Sequence, residues 1–369
     1  MGEGVLSVVV RSVIRETEDV VSLEVEAEGD ARLEPRPGQF LTIRSPDGLA
    51  RCYSFSRIGA APRITVKRVP GGAVSSWLCD RVVPGTRLTA LPPAGIFTPA
   101  DWDADLLLAA AGSGITPVLA IAAAALERGT ARVVLVYANR DEASVVFRRE
   151  LRELAAAHPE RLLVHHLLDS VQGRPDPAQL RQLLAPYRDR TAYLCGPAAF
   201  MDSVTKALRA HGVPRERVHR EVFVSLTGDA FAEPAEGAGS GPGAGPGTGA
   251  EPDTGTGPGT GTRTGPGTAT GAGEAAGVSA LSLVLDGERH DIPWTDGTTL
   301  LRAMLAHGID APFSCREGLC GACVCRVERG SVDAGTAGVL TAEDIADGYV
   351  LACQALPPGD RMPVAVTYD

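Results

Sequence analysis

The chain has no apolar run long enough to cross a bilayer, and its start, Met1-Gly2-Glu3-Gly4-Val5, lacks the basic and apolar regions of a secretory leader. An integral membrane protein is therefore not expected, and the location read from the sequence is cytoplasmic. Cationic excess is missing as well. The 35 Lys and Arg against 45 Asp and Glu leave a formal net charge of −10, which argues against nucleic acid as the main partner and leaves room for a basic protein partner. Cysteine is scarce: eight residues in 369, half of them in one metal-like pattern, suit a reducing compartment and not a disulfide scaffold. What is plentiful is core material. At 44% hydrophobic residues, this length is enough for two to three domains.

Three thiols fall within nine residues, Cys315-Arg316-Glu317-Gly318-Leu319-Cys320-Gly321-Ala322-Cys323, and a fourth follows at Cys353. The spacing C-x4-C-x2-C with a distant fourth Cys is that of a plant-type 2Fe-2S cluster. Each tetrahedral iron shares two sulfides and takes two protein sulfurs, so a tight loop supplies three ligands and a separate segment the last. Gly318 and Gly321 let such a loop wrap closely and aim N–H groups at the cluster. A structural zinc site would call for two close Cys pairs or Cys with His, and Cys353 has only Gln354 beside it. Cys325, two residues on, reads as a small core hydrophobe on a following strand.

Residues 1–100 alternate. Val20 to Glu26 and Ile64 to Val69 read as half-buried strands, and Pro37-Gly38, Pro46-Asp47-Gly48, Pro70-Gly71-Gly72 and Pro84-Gly85 as turns. About six short strands predict an antiparallel β-barrel. In Arg51-Cys52-Tyr53-Ser54 an extended strand puts Arg51 and Tyr53 on one face, a guanidinium suited to a phosphate beside an aromatic suited to stacking. The turn Gly72-Ala73-Val74-Ser75-Ser76 leads into a short helix at Trp77-Leu78, whose N–H groups could receive a pyrophosphate.

Residues 101–227 alternate strands with helices. The buried run Leu106 to Ala111 is followed by Gly112-Ser113-Gly114-Ile115-Thr116-Pro117 and a helix that Thr116 should cap and Gly129 should end. A glycine turn between strand and helix is a phosphate cradle, although Pro117 replaces the third glycine of the dinucleotide fingerprint. Strands at 133–137, 162–167, 192–195 and 218–224, with helices at 144–157, 177–184 and 198–211, predict a doubly wound parallel sheet with ligands at its carboxyl edge. Gly112, Gly114, Cys195, Gly196 and Pro197 fall there. After the second strand, Arg140 could pair with a 2′-phosphate and Asp141 with a ribose diol, so NADH and NADPH both stay open. His165 and His166 point to opposite faces of one strand, which forbids joint ligation and makes them structural.

Residues 228–277 are Gly, Pro, Thr and Ala with little to bury, a composition expected to form a flexible linker reaching about 40 Å. Residues 278–369 mix strands (281–285, 290–292, 349–352, 364–367) with helices (300–306, 341–346) around the cysteine loop. That makes a ferredoxin-sized α+β module.

These pieces together resemble the ferredoxin–NADP reductase superfamily, in the class with a carboxyl-terminal plant-type 2Fe-2S ferredoxin domain. The carriers are Arg51-Cys52-Tyr53-Ser54, Gly112 to Pro117, Tyr137-Ala138-Asn139-Arg140-Asp141, Cys195-Gly196-Pro197, Glu221-Val222-Phe223 and the four cysteines, in the family's order. Around the cysteines and Leu351-Ala352-Cys353-Gln354 the chain is similar to the reductase components of 3-ketosteroid 9α-hydroxylase and phenylacetyl-CoA epoxidase systems. The linker departs from that pattern in its length and Gly/Pro content. The resemblance implies a multidomain protein: a FAD-binding β-barrel, an NAD(P)-binding α/β domain and a β-grasp-like ferredoxin domain. It implies that Arg51 contacts the flavin pyrophosphate, Tyr53 stacks on the isoalloxazine and Ser54 bonds near its reactive nitrogen, with Lys67, Gly72, Val74 and Ser75 also at the cofactor. Gly112, Gly114, Thr116, Arg140, Gly196 and Pro197 would hold the nucleotide, Cys195 would lie against the nicotinamide and Glu221 near the transfer site.

A hydride carries two electrons and a 2Fe-2S cluster accepts one, so a flavin must stand between them. The expected function is NAD(P)H-dependent electron transfer through FAD and the cluster to an oxygenase component. Two rivals remain: a reductase serving a separate ferredoxin or other redox carrier, and a redox sensor that uses the cluster to switch a partner. NAD(P)H-driven dye reduction separates the reductase readings from the sensor.

Overall fold

The computed structural model describes residues 5–29, 31–223, 226, 230–231, 278–285, 287–309, 311–313, 316–318, 321–335, 339–360 and 362–368. Cys315, Cys320 and most of the Gly/Pro/Thr tract lie outside these. The first domain is a closed six-stranded antiparallel barrel. Its strands are β1 (Leu6–Thr17), β2 (Val20–Ala27), β3 (Phe40–Arg44), β4 (Ala50–Arg57), β5 (Arg63–Lys67) and β6 (Arg87–Ala90), in the order β1-β2-β5-β4-β3-β6. Closure removes free edges, and the inward members of the alternating pattern, Val8, Leu23, Leu41, Phe55, Ile64 and Val66 among them, fill the interior. Helix α1 (Ala73–Asp80) plugs one end with Val74 and Leu78. It begins at Ala73, so the glycine turn is itself the helix start.

The second domain carries β7 (Leu106–Ala111), α2 (Ile115–Arg128), β8 (Val133–Asn139), α3 (Arg148–Ala157), β9 (Leu162–Leu168), the short α4 (Asp169–Gln172), α5 (Pro177–Leu184), β10 (Thr191–Cys195), α6 (Ala198–Ala210) and β11 (Val218–Glu221). The sheet is wholly parallel, order β11-β10-β7-β8-β9, with a core on each face. The order runs both ways from β7, so the crevice at the carboxyl ends of β7 and β10 is a topological switch point. His165 and His166 do face apart: His165 Nε2 lies 3.0 Å from the Tyr187 hydroxyl, and His166 packs on Tyr137 on the other face.

Two local readings are corrected. Thr116 does not cap α2; Gly114 does, because Gly112 at φ +54 winds Gly112–Gly114 into a 3-10 turn that runs straight into the helix. The helix expected from 144 begins at Arg148. Phe147 stands at φ +59 with its ring 5.0 Å below the Arg63 guanidinium, a contact from the barrel that no local pattern contains.

The third domain holds β12 (Val278–Leu285), β13 (Glu288–Thr295), α7 (Leu300–Ala306), β14 (Val324–Arg329), α8 (Ala342–Ala346), β15 (Tyr349–Leu351) and β16 (Val364–Thr367). Its mixed sheet, order β13-β12-β16-β14-β15, is crossed by α7, which buries Leu300, Leu301, Ala303 and Met304 in a β-grasp-like arrangement. Cys325 is buried in this core, as expected of a packing residue. Among the described residues no helix is long and apolar enough to cross a membrane.

Candidate functional site

At the switch point the chain brings together motifs some eighty residues apart. A Cβ on Gly114 would lie 2.1 Å from the Cys195 carbonyl oxygen, so the 112–114 turn and the end of β10 touch backbone to backbone. Only glycine allows that approach. The Tyr137 hydroxyl donates to the Gly112 carbonyl at 3.2 Å and accepts from the Val146 N–H at 3.2 Å, which fixes the turn from β8. Thr116 Oγ1 donates to the Ser113 carbonyl, closing the turn from inside. What remains is a shallow backbone cradle at the start of a fourteen-residue helix, which fits a nucleotide phosphate.

The barrel meets this cradle. Lys67, at the end of β5, reaches within 4.0 Å of where a Gly112 Cβ would be and lies 3.5 Å from Asp19. Tyr53 is half-buried on β4 and its hydroxyl is pushed upward, chiefly by burial. Ser54 is buried next to it. Arg51 Nη1 donates to the Leu226 carbonyl at 2.9 Å, tying the segment after β11 to the barrel. Leu226 and Ala230 then pack on Ala50, with Phe231 under the Arg44 guanidinium at 5.3 Å. Gly72 caps α1 and Ser75 Oγ accepts from the Val69 N–H, while the Val74 side chain points into the core and leaves only its backbone to a ligand. Pro197 caps α6, and Gly196 packs on Ala111. Arg140 is exposed beyond β8, while the Asp141 carboxylate accepts from the Ser144 N–H at 2.8 Å, which holds it below its usual range.

Cys195 is fully buried, and its thiol is pushed well up by desolvation and by Glu221. Glu221 ends β11 opposite Cys195 in register and is pushed up to about 8 by burial. It borders an open cleft whose water limits that shift from above. His219, exposed on β11, stacks on Tyr193 with ring centres 4.6 Å apart. The carboxyl edge therefore carries a desolvated thiol beside a carboxyl whose pKa is raised.

In the third domain Cys323 and Cys353 are both buried, and the Ala352 N–H donates to the Cys323 carbonyl at 3.0 Å, so the loop and the distant segment lie side by side. Gln354 Nε2 donates to the Arg316 carbonyl at 3.2 Å and sits 3.5 Å from Cys353 Sγ. Nothing along the chain assigns this glutamine a role except its place beside Cys353. Gly318 at φ +75 faces the Gln354 side chain where a Cβ would stand 3.0 Å away. Two buried thiols on segments that lie side by side fit a thiolate-held cluster.

Comparisons agree with this architecture. The 2Fe-2S iron-sulfur cluster binding domain family matches residues 283–358, and the oxidoreductase NAD-binding domain family matches residues 108–206. The chain is 44% identical over 364 residues to the ferredoxin reductase component of 3-ketosteroid-9-alpha-monooxygenase from Rhodococcus rhodochrous, covering 96% of this chain and 95% of that one. The chain belongs to the oxygenase-type ferredoxin reductases. It is also 32% identical to one component of the 1,2-phenylacetyl-CoA epoxidase of Escherichia coli K12, covering 87% and 86% of the two chains. The fold matches phthalate dioxygenase reductase, with a TM-score of 0.53 at 22% identity over 99% of this chain and 98% of that one. The family fixes the chain as an oxidoreductase that binds a nicotinamide nucleotide and a 2Fe-2S cluster.

Proposed function

We propose that the protein takes electrons from NAD(P)H through FAD to its 2Fe-2S cluster and delivers them to an oxygenase component, in a system of the 3-ketosteroid hydroxylase or phenylacetyl-CoA epoxidase kind. The observation that carries this reading is the convergence of the Gly112–Gly114 turn, Cys195–Gly196 and Lys67 at the mouth of the barrel strand bearing Arg51, Tyr53 and Ser54. When bound, the flavin accepts the hydride and passes its electrons singly to the cluster.

The residues divide the work. Gly112, Gly114 and the N-terminus of α2 hold the nucleotide phosphates, with Thr116 bracing the turn, and Gly196, Pro197 and Arg140 border the nucleotide. Arg51, Lys67 and the Gly72 to Ser75 turn neutralise and seat the flavin phosphates, and Tyr53 covers the ring. Cys195, fully buried, and Glu221, at the edge of the open cleft, would line the place beside Ser54 where the nicotinamide is received. A negative charge there would favour the positive nicotinamide product over the neutral reactant. Cys315, Cys320, Cys323 and Cys353 ligate the irons.

Anaerobic mixing with NADH and, separately, NADPH tests the reading. Loss of flavin absorbance followed by the paramagnetic signal of a reduced 2Fe-2S centre is expected, and turnover should then couple to an added oxygenase component. A holoprotein whose cluster stays oxidised in excess nucleotide overturns it.

A further inference from the structure

Among the described residues, the 2Fe-2S domain touches the rest of the molecule at two separated places. One is apolar. Ala322, adjacent to Cys323 and fully buried, packs on Phe40 and Ala94 with Cys52 beside them. Cys52 lies between Arg51 and Tyr53 on β4, and because side chains alternate along a strand it faces the opposite way from Tyr53, which packs with the barrel core. The residue next to Cys323 thus rests on the outer side of the strand, the side that Ser54 also faces, while Arg51 and Tyr53 face inward.

The other place is ionic. Arg209 at the end of α6 forms a two-pronged pair with Glu343 of α8, one prong at 2.8 Å. Arg215 pairs with Asp344 and Asp347, with its guanidinium 5.3 Å from the Tyr349 ring centre. Between the two places runs a cleft of about 1380 Å³, bordered by Glu221 and His219 on one side and by Val339 and Thr341 on the other. A junction made of one alanine seat, a few partly exposed ion pairs and an open cleft is built to separate.

We infer that Arg209 and Arg215 are positioning residues for the transfer from flavin to cluster: their pairs with Glu343, Asp344 and Asp347 hold the 2Fe-2S domain with Ala322 seated on Phe40, Cys52 and Ala94, and breaking them frees the cluster edge for the outside acceptor. Each passage across the seat moves one electron, oxidising the flavin by one and reducing the cluster by one, and NAD(P)H supplies the pair. This rests on the electron path proposed above. While Ala322 is buried the same edge is closed to an oxygenase, so onward delivery needs release. Salt weakens exposed pairs, so docking should loosen as ionic strength rises.

The test uses the loaded full chain with Arg209→Glu, Glu343→Arg, the double charge swap and Arg215→Gln. Two quantities are read: amide hydrogen exchange over residues 341–351, and the rate of cluster reduction after anaerobic mixing with NAD(P)H. Each single change should speed the exchange and slow cluster reduction about fivefold, the scale of one exposed pair. The swap should restore both, and 0.5 M salt should imitate the single changes in the unaltered protein. Single changes that move neither exchange nor rate, or a swap that restores neither, overturn the dock. If the unaltered protein never reduces its cluster, the electron path itself fails, and exchange still reports on the contact independently.

Discussion

The junction between barrel and nucleotide domain holds a guanidinium taken out of water, whereas the junction of both with the 2Fe-2S domain joins a small apolar seat to ion pairs left partly in it. At the first, Arg63 is 5% exposed, donates to Ser56 and to Glu150 at 2.7 Å, and lies over Phe147, while α2 packs along β4. At the second, Arg209 and Glu343 are 41% and 59% exposed, and Arg215 and Asp344 28% and 20%. A desolvated guanidinium with fixed partners cannot let go without leaving charge unpaired, and a solvated one exchanges its partner for water at little cost. Hydride transfer needs a cradle that keeps its shape. A cluster that serves two partners needs a mount that lets go.

The largest effect expected is the emptying of one side. Cys323→Ser or Cys353→Ser should abolish cluster absorbance and iron content with the flavin still bound, whereas Cys325→Ser, in the core, should keep the cluster. Iron retained after either ligand change breaks the assignment.

Next is the fixed junction. Arg63→Ala removes a buried charged donor and should cost about 2 kcal/mol in urea unfolding, with no change in the salt dependence of cluster reduction. A cost near zero would mean that the two junctions do not differ as described.

Glu221 gives a smaller effect of known sign. Its folded value near 8 exceeds the unfolded one near 4.5, so the folded state binds the extra proton. Stability contributed this way is full below about pH 4.5 and is lost as pH rises through 8. Melting temperature should therefore fall from pH 5 to 8 more steeply in the unaltered protein than in Glu221→Gln. Equal slopes would place the carboxyl in water.

The smallest effect concerns residues 237–277. Read from composition as a spacer, this tract halved in length should change partner-coupled turnover by only about threefold. A shuffled tract of equal composition that abolished coupling would show that its sequence is recognised.

Much of the fold was legible because its signals are local. The runs at 106–111, 177–184, 300–306 and 364–367 match the elements to the residue, since burial on both faces, a Pro start or a heptad-like face is written within the segment itself. The strand expected at 218–224 ends at Glu221, where the backbone leaves the sheet toward the barrel and Arg51 takes the Leu226 carbonyl. Phe147 broke a helical pattern for the same reason, a partner from another domain. Gln354, Tyr137 and Ala322 stand inside motifs read from the sequence, but the contacts they make were not legible, because nothing in their neighbours along the chain announces what they touch.

The sequence by itself determined the chemistry: four thiols at cluster spacing, a glycine turn between strand and helix, and an R-x-Y-S strand each state a ligand class, because covalent spacing limits what a short segment can hold. Only the tertiary structure decided which of these segments meet, that the Cys195 thiol and Glu221 carboxyl have their pKa values raised, and which junction buries its guanidinium and which leaves its ion pairs partly exposed. Desolvation and close approach are properties of neighbours brought together by folding, and they have no trace in the order of residues along the chain.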